Sequence, residues 1–167
     1  MHITIERAVS ADAAALLDFL KQVGGESDNL TFGAEGLPFS IEAEEAFLAS
    51  LEMSRDGIML VAKADGKIVG NASLSRMPRR MSHRGELGVS VLKEFWNRGI
   101  GGQMIERLVS FARENAFDII ELQVRSDNFA AIHLYKKFGF KKLATYPGFF
   151  KIEGQYIDFD IMYMPLK

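Results

Sequence analysis

The stretch Val89-Ser90-Val91-Leu92-Lys93-Glu94-Phe95-Trp96-Asn97-Arg98-Gly99-Ile100-Gly101-Gly102 has the residue types and spacing of an anion-binding turn. An apolar strand pattern ends, a short glycine-rich turn follows, and helical spacing begins. The start of a helix presents backbone N–H groups without acceptors and carries a partial positive charge. Glycines let the backbone come close to an anion and take conformations that other residues resist. Together these features make a nest for a phosphate or pyrophosphate, with the amides of Arg98, Gly99, Ile100, Gly101 and Gly102 as donors and the Arg98 side chain as a candidate charge-assisted contact. Two other phosphate-binding patterns fail on residues. Gly102-Gln103-Met104 lacks the Gly-Lys-Ser/Thr of a P-loop. A dinucleotide fingerprint needs an early parallel βαβ unit, whereas the strands before residue 84 suit hairpins. Absence of cysteine excludes thiol catalysis and cysteine-ligated metal centres.

The elements that must position this turn can be read along the chain. Residues 2–9 alternate as a strand, and Ser10 is a candidate cap for a helix using Ala14, Leu16, Leu17 and Leu20. Residues 24–39, rich in glycine, read as a long loop of the kind that serves as a lid. Ser40 caps a second helix reaching about Ser54. Residues 58–64 and 67–76 read as strands joined by an Asp65-Gly66 hairpin turn. Another strand covers 84–91, and a helix from about Ile100 to Asn115 carries Met104, Ile105, Leu108, Val109 and Ala112 at helical spacing. A strand at 118–125, a helix at 129–138 and strands at 139–146 and 154–164 complete the chain. The expectation is one domain over residues 1–167, of α/β (α+β) class. It has a mostly antiparallel sheet of about seven strands, about four helices and one β-α-β crossover after residue 84.

Composition bounds the partners. A net charge of −2 and a pI near 5.9 lack the basic footprint of a nucleic-acid binder. Arg76, Arg79, Arg80 and Arg84 read as a solvated cluster offset by acidic segments. No run approaches the roughly 18 apolar residues of a membrane span, and the first residues do not form a signal peptide. The default placement is therefore cytoplasmic, without membrane or nucleic-acid partners, and base rates for soluble enzymes favour a homodimer. His2 and His133 suggest no cluster, so no metal site is expected.

Trp96-Asn97-Arg98-Gly99-Ile100-Gly101 resembles the pyrophosphate-binding turn of the GNAT superfamily of N-acetyltransferases. Asn128-Phe129-Ala130-Ala131-Ile132-His133-Leu134-Tyr135-Lys136-Lys137-Phe138-Gly139-Phe140 resembles that superfamily's second diagnostic segment, in the expected order and separation. The likeness is close from about residue 57 onward and extends to the first two helices only in general layout. It implies acetyl-CoA as acyl donor, no metal, and transfer to an amine. It also implies that the backbone of Val89, Ser90 and Val91 pairs with the pantetheine arm on a strand that bulges and splays, that Asn97 to Gly102 hold the pyrophosphate, and that Asn128 and Ala131 meet the arm. Tyr135 is implied as the acid: a phenol with an ordinary pKa of about 10 stays protonated and can donate to a departing thiolate. A backbone N–H near Val91 is the candidate oxyanion donor.

Two departures from the family pattern bear on function. Trp96 stands where some members carry Gln or Arg, which a turn working through backbone amides tolerates. Gln123 stands where protein-N-terminus acetyltransferases of this superfamily often carry a glutamate base, and an amide cannot accept the proton as a carboxylate does. The base is thus open among Glu86, whose burial would raise its pKa, His83, and a water chain, with Glu26 in the glycine-rich loop orienting the amine. The tail resembles the final hairpin of bacterial members acting on small amines or amino acids. Gly154 makes its turn, Phe149, Phe150 and Tyr156 are candidate walls of the acceptor pocket, and Asp158 lies nearby. The implied acceptor is a small-molecule amine, with a protein lysine or N-terminus as the alternative within the class and a non-catalytic acyl-CoA-binding module as the alternative outside it.

Overall fold

A computed structural model describes all residues 1–167. The sheet is seven-stranded: β1 (Ile3–Arg7), β2 (Gly57–Ala64), β3 (Lys67–Arg76), β4 (Arg84–Val91), β5 (Ile119–Arg125), β6 (Lys141–Ile152) and β7 (Gln155–Pro165), in the order β1-β2-β3-β4-β5-β7-β6. All neighbours are antiparallel except β4 and β5. Helices α1 (Ala13–Glu26) and α2 (Ile41–Leu51) precede β2, α3 (Ile100–Glu114) joins β4 to β5, and α4 (Phe129–Phe138) joins β5 to β6.

Side-chain alternation divides the sheet into two packed faces. Helix α3 buries Met104, Ile105 and Leu108 completely against the face that carries Leu60, Leu74 and Ile120. The opposite face takes Leu16 and Phe19 of α1 and Leu48 of α2. Leu60 and Val61 are adjacent and both fully buried, which marks β2 as covered on both sides.

The two N-terminal helices differ in how they begin. Ser40 caps α2, its Oγ accepting from the Ala43 N–H at 3.0 Å. Ser10 does not cap α1. It opens a 3-10 turn, Ser10–Asp12, in which the Asp12 carboxylate accepts the Val9 N–H at 2.9 Å, and α1 starts at Ala13. Lys63 holds Asp12 at 2.9 Å and Glu6 at 2.6 Å, so a charged group from β2 fixes this turn.

Helix α1 also runs through Gly24 and Gly25, which the sequence reading assigned to the loop. A Cβ at Gly24 would stand 2.2 Å from the Gly33 carbonyl oxygen. The returning chain crosses the helix there, and only glycine leaves room for it. At the other end, β6 continues to Ile152 rather than stopping near 146, because it pairs with β7 along its length. Register shifts at Lys142/Ala144 and Tyr146/Phe150 bend this hairpin, and Glu153 (φ 48°) with Gly154 (φ 79°) turns it.

Candidate active site

The site begins where two parallel strands part. β4 and β5 pair only from Arg84–Ile119 to Glu86–Glu121. Past that point β5 follows β7 to the Arg125–Phe159 pair, while β4 follows β3 to the Val91–Gly70 pair. The Arg84 guanidinium donates to both Glu121 carboxylate oxygens at 2.7 Å and pins the base of the wedge. No bulge opens it. The β3–β4 register is regular throughout, so the expected bulge in Val89–Val91 is absent and the divergence of β5 makes the gap.

The Leu92 N–H donates to the Val69 carbonyl at 2.9 Å. Backbone alternation along a strand therefore turns the N–H and C=O groups of Val89 and Val91 away from β3 and into the gap. The Val91 carbonyl is the exception in being already engaged: the Trp96 Nε1–H donates to it at 2.8 Å.

Beyond β4, Asn97 (φ 62°) and Gly99 (φ 78°) take left-handed conformations and aim the start of α3 at the wedge. The first helical bond is Gln103 N–H to Gly99 C=O, 3.1 Å, which leaves the N–H groups of Ile100, Gly101 and Gly102 without acceptors. A Cβ at Gly101 or Gly102 would lie 3.6 or 3.8 Å from Leu134, an ordinary contact. Packing inside the protein therefore does not require these two glycines. The Arg98 side chain turns away, its guanidinium 5.2 Å above the Phe95 ring and outside the cleft. The expected charge-assisted contact would need the side chain to leave Phe95.

Helix α4 supplies the facing wall with Asn128, Ala131 and Tyr135. Asn128 caps the helix, its Oδ1 accepting from the Ala131 N–H at 3.3 Å, so its amide NH2 is left free to donate. Tyr135 is buried, edge-on to Phe140 at 5.8 Å, and burial pushes its phenol pKa up to about 12. It carries its proton throughout the neutral and mildly alkaline range.

The opposite side of the wedge holds the remaining candidates. Glu86 lines the cleft but is exposed, so the burial expected of it is absent. Phe149 and Phe150 line the cleft with Phe159, at centroid separations of 4.3–5.6 Å, and Phe32 joins them from the α1–α2 connection. Glu26 lines the cleft as the last residue of α1, not within a loop, and its carboxylate accepts the Lys93 N–H at 2.7 Å. His83 lies outside, just before β4 and below the base of the wedge, where its carbonyl accepts the Asp118 N–H at 2.7 Å. Tyr156 also lies outside the cleft, 69% exposed, with Lys151 over its ring. The Asp158 carboxylate accepts the Gly148 N–H at 2.9 Å and closes the β6 bend. Phe32, Phe159 and Arg125 line the cleft without having been singled out in the sequence. Strand alternation carries a signal for Phe159 and Arg125, which are cross-strand partners on one face, but none for Phe32 in its loop.

The resulting cleft, about 1020 Å³, runs through the sheet from the α3–α4 side to the α1–α2 side. The acetyltransferase (GNAT) family model matches residues 28–140. The chain belongs to the GNAT acetyltransferase family. Its members are acetyl-CoA-dependent acyltransferases, and the seven-stranded fold agrees with theirs. A GNAT acetyltransferase from Streptococcus pneumoniae is 31% identical, superimposes with a TM-score of 0.95, and the match covers 99% of this chain and 100% of that one. The L-amino acid N-acetyltransferase AaaT of Escherichia coli is 35% identical over 62% of this chain and 66% of its own length. The N-alpha-acetyltransferase RimI of Mycobacterium tuberculosis is 32% identical over 56% of this chain and 58% of its own. The chain thus spans less than two thirds of the length of these two curated relatives. No helix of this GNAT chain is long and apolar enough to cross a membrane.

Proposed function

We propose that this protein transfers the acetyl group of acetyl-CoA directly to the primary amine of a small molecule, such as an amino acid, a polyamine or a related metabolite. The observation that carries the acceptor class is the group of phenylalanines Phe32, Phe149, Phe150 and Phe159, which gives the acceptor half of the cleft an aromatic lining. Gln123, lining the cleft where a carboxylate base serves protein-N-terminus enzymes, points the same way. The E. coli relative is named for amino acid acetylation.

The residues present fit acetyl-CoA. The free amides of Ile100, Gly101 and Gly102 would hold its pyrophosphate, with the Asn97–Gly99 turn aiming them. The open backbone groups of Val89 would pair with its arm as an added strand does, and the Asn128 NH2 would donate to it. Bound acetyl-CoA supplies a thioester carbonyl open to an amine. The Val91 N–H would serve as the oxyanion donor. Glu86, facing the acceptor half, takes the amine proton directly or through water as the carbon–nitrogen bond forms. Tyr135 donates its proton to sulfur as the carbon–sulfur bond breaks, and solvent restores it. No enzyme-bound acyl group is formed.

An acceptor panel tests this reading. Acetyl-CoA is supplied with free amino acids, polyamines, and short peptides with free N-termini, and acetylated products are identified by mass spectrometry. The expected result is acetylation of one class of free small amine with kcat/KM at least about tenfold above any peptide, a difference of about 1.4 kcal/mol. Preferential acetylation of a peptide N-terminus would overturn the acceptor assignment in favour of RimI-like activity.

A further inference from the structure

Trp96 is the sole tryptophan of the chain and sits in the turn that carries the phosphate-binding amides. Its ring lines the cleft and is 45% exposed, with the Lys93 ammonium 5.8 Å from the ring centre. Its indole N–H is engaged within the protein. It reaches back to the carbonyl of Val91, the last residue of β4, at 2.8 Å. That carbonyl belongs to the set of peptide groups turned into the gap left by β5, and it is the one in that set whose acceptor capacity a side chain of the same turn takes up.

The placement has two consequences. An extended arm laid along β4 finds free partners on Val89, whereas one of the two acceptor sites of the Val91 carbonyl is already taken. The same bond ties the strand edge to the turn, so the spacing between the arm-binding groups and the amides of Ile100–Gly102 is held by one side chain. Backbone amides alone would hold a phosphate whatever residue occupied position 96. A fixed spacing matters only to a ligand that touches both ends.

We infer that Trp96 is a donor-positioning residue, which sets the register of the pantetheine arm against the pyrophosphate site and walls the arm with its ring. This rests on the acetyl-CoA reading of the cleft.

The test uses two ligands on the whole protein. One is CoA. The other is adenosine 3′-phosphate 5′-diphosphate, which keeps the phosphates of CoA and lacks the arm. Trp96→Phe keeps a ring and removes the N–H. Its calorimetric Kd for CoA should rise about three- to tenfold, because the spacing between the arm-binding edge and the phosphate-binding amides is no longer held, while Kd for the armless ligand stays within about twofold. The wild-type protein gives a second readout that does not depend on the variant folding. The single tryptophan's emission should shift to shorter wavelength with CoA, as the arm covers the ring, and hold its position with the armless ligand. Unchanged CoA affinity in Trp96→Phe, equal weakening of both ligands, or CoA binding with unmoved emission would each overturn the inference. Failure of the wild-type protein to bind CoA would instead overturn the donor-site reading beneath it.

Discussion

Gly101 and Gly102 offer a perturbation whose effects on stability and on binding have opposite signs. Both lie in the first turn of α3 without a positive φ, and an added Cβ would meet Leu134 at 3.6 or 3.8 Å. Alanine therefore fits the fold, and its better helix propensity and lower unfolded-state entropy stabilise it by about 0.5–1 kcal/mol. For a chain of this size that is roughly 1–4 °C in Tm. The same methyl group stands where a pyrophosphate must approach the amides. Displacing an anion from such a contact, like inserting a methyl into a packed site, costs about 1–3 kcal/mol, or about 5- to 150-fold in Kd. Thermal melts without ligand and calorimetric titrations with CoA, on Gly101→Ala and Gly102→Ala separately, measure the two effects. Ligand-free variants that melt higher yet bind CoA more weakly are the expected result. Variants that lose stability would refute the packing argument. Unchanged CoA affinity in both would refute the assignment of this turn to the pyrophosphate.

Further predictions concern other residues. Tyr135→Phe should lower kcat at least about a hundredfold, as loss of a general acid does, with the Kd for CoA within about twofold; equal kcat at all pH values would remove Tyr135 from the mechanism. Because burial raises the Tyr135 pKa to about 12, the unfolded chain loses this proton first. The phenol's contribution to stability should thus be intact below about pH 10 and decline toward pH 12, a decline that urea titrations should find reduced in Tyr135→Phe. Glu86→Gln should lower kcat/KM for the acceptor about tenfold or more and leave CoA binding in place; a wild-type value would transfer the base role to water. Asp160 is buried, which alone would raise its pKa, but hydrogen bonds from Ser126 (2.8 Å) and Thr145 (2.9 Å) and the nearby Lys142 ammonium bring it below the ordinary carboxylate value. Asp160→Ala should cost about 2–4 kcal/mol near pH 7, leaving two hydroxyls unpaired. Since the depressed pKa stabilises above the unfolded value, the difference from wild type should shrink as pH falls below about 4.

Much of this architecture is visible in the chain because its signals are local. Helical spacing from Ile100, the Asp65-Gly66 turn and the Ser40 cap each depend on neighbours a few residues away, and each is present as read. Misreadings arise where a distant contact decides. Gly24 and Gly25 look like loop residues, yet the Gly33 carbonyl against Gly24 makes glycine a packing requirement inside α1. β6 outruns its apparent end because β7 pairs with it.

For the site, residue types point to a candidate anion nest and a candidate acid, each within one contiguous segment. Alternation tells which face of a strand a residue occupies but not its height relative to a wedge that opens at Glu86. His83, one residue before β4, therefore falls below the cleft and Glu86 falls within it. The Arg98 side chain and the Trp96 indole illustrate the same limit: both belong to the recognised turn, and only the three-dimensional arrangement turns one onto Phe95 and the other onto Val91.

The central claim is that one cleft brings a donor thioester and a small amine together at Tyr135. Thiol release from acetyl-CoA, followed with and without free amino acids and polyamines, tests it most directly, and the cysteine-free protein adds no thiol of its own. The expected result is negligible release with acetyl-CoA alone and amine-dependent release that matches N-acetylated product one for one. Tight CoA binding with no release in the presence of any amine would contradict it and leave a binding module in place of an enzyme.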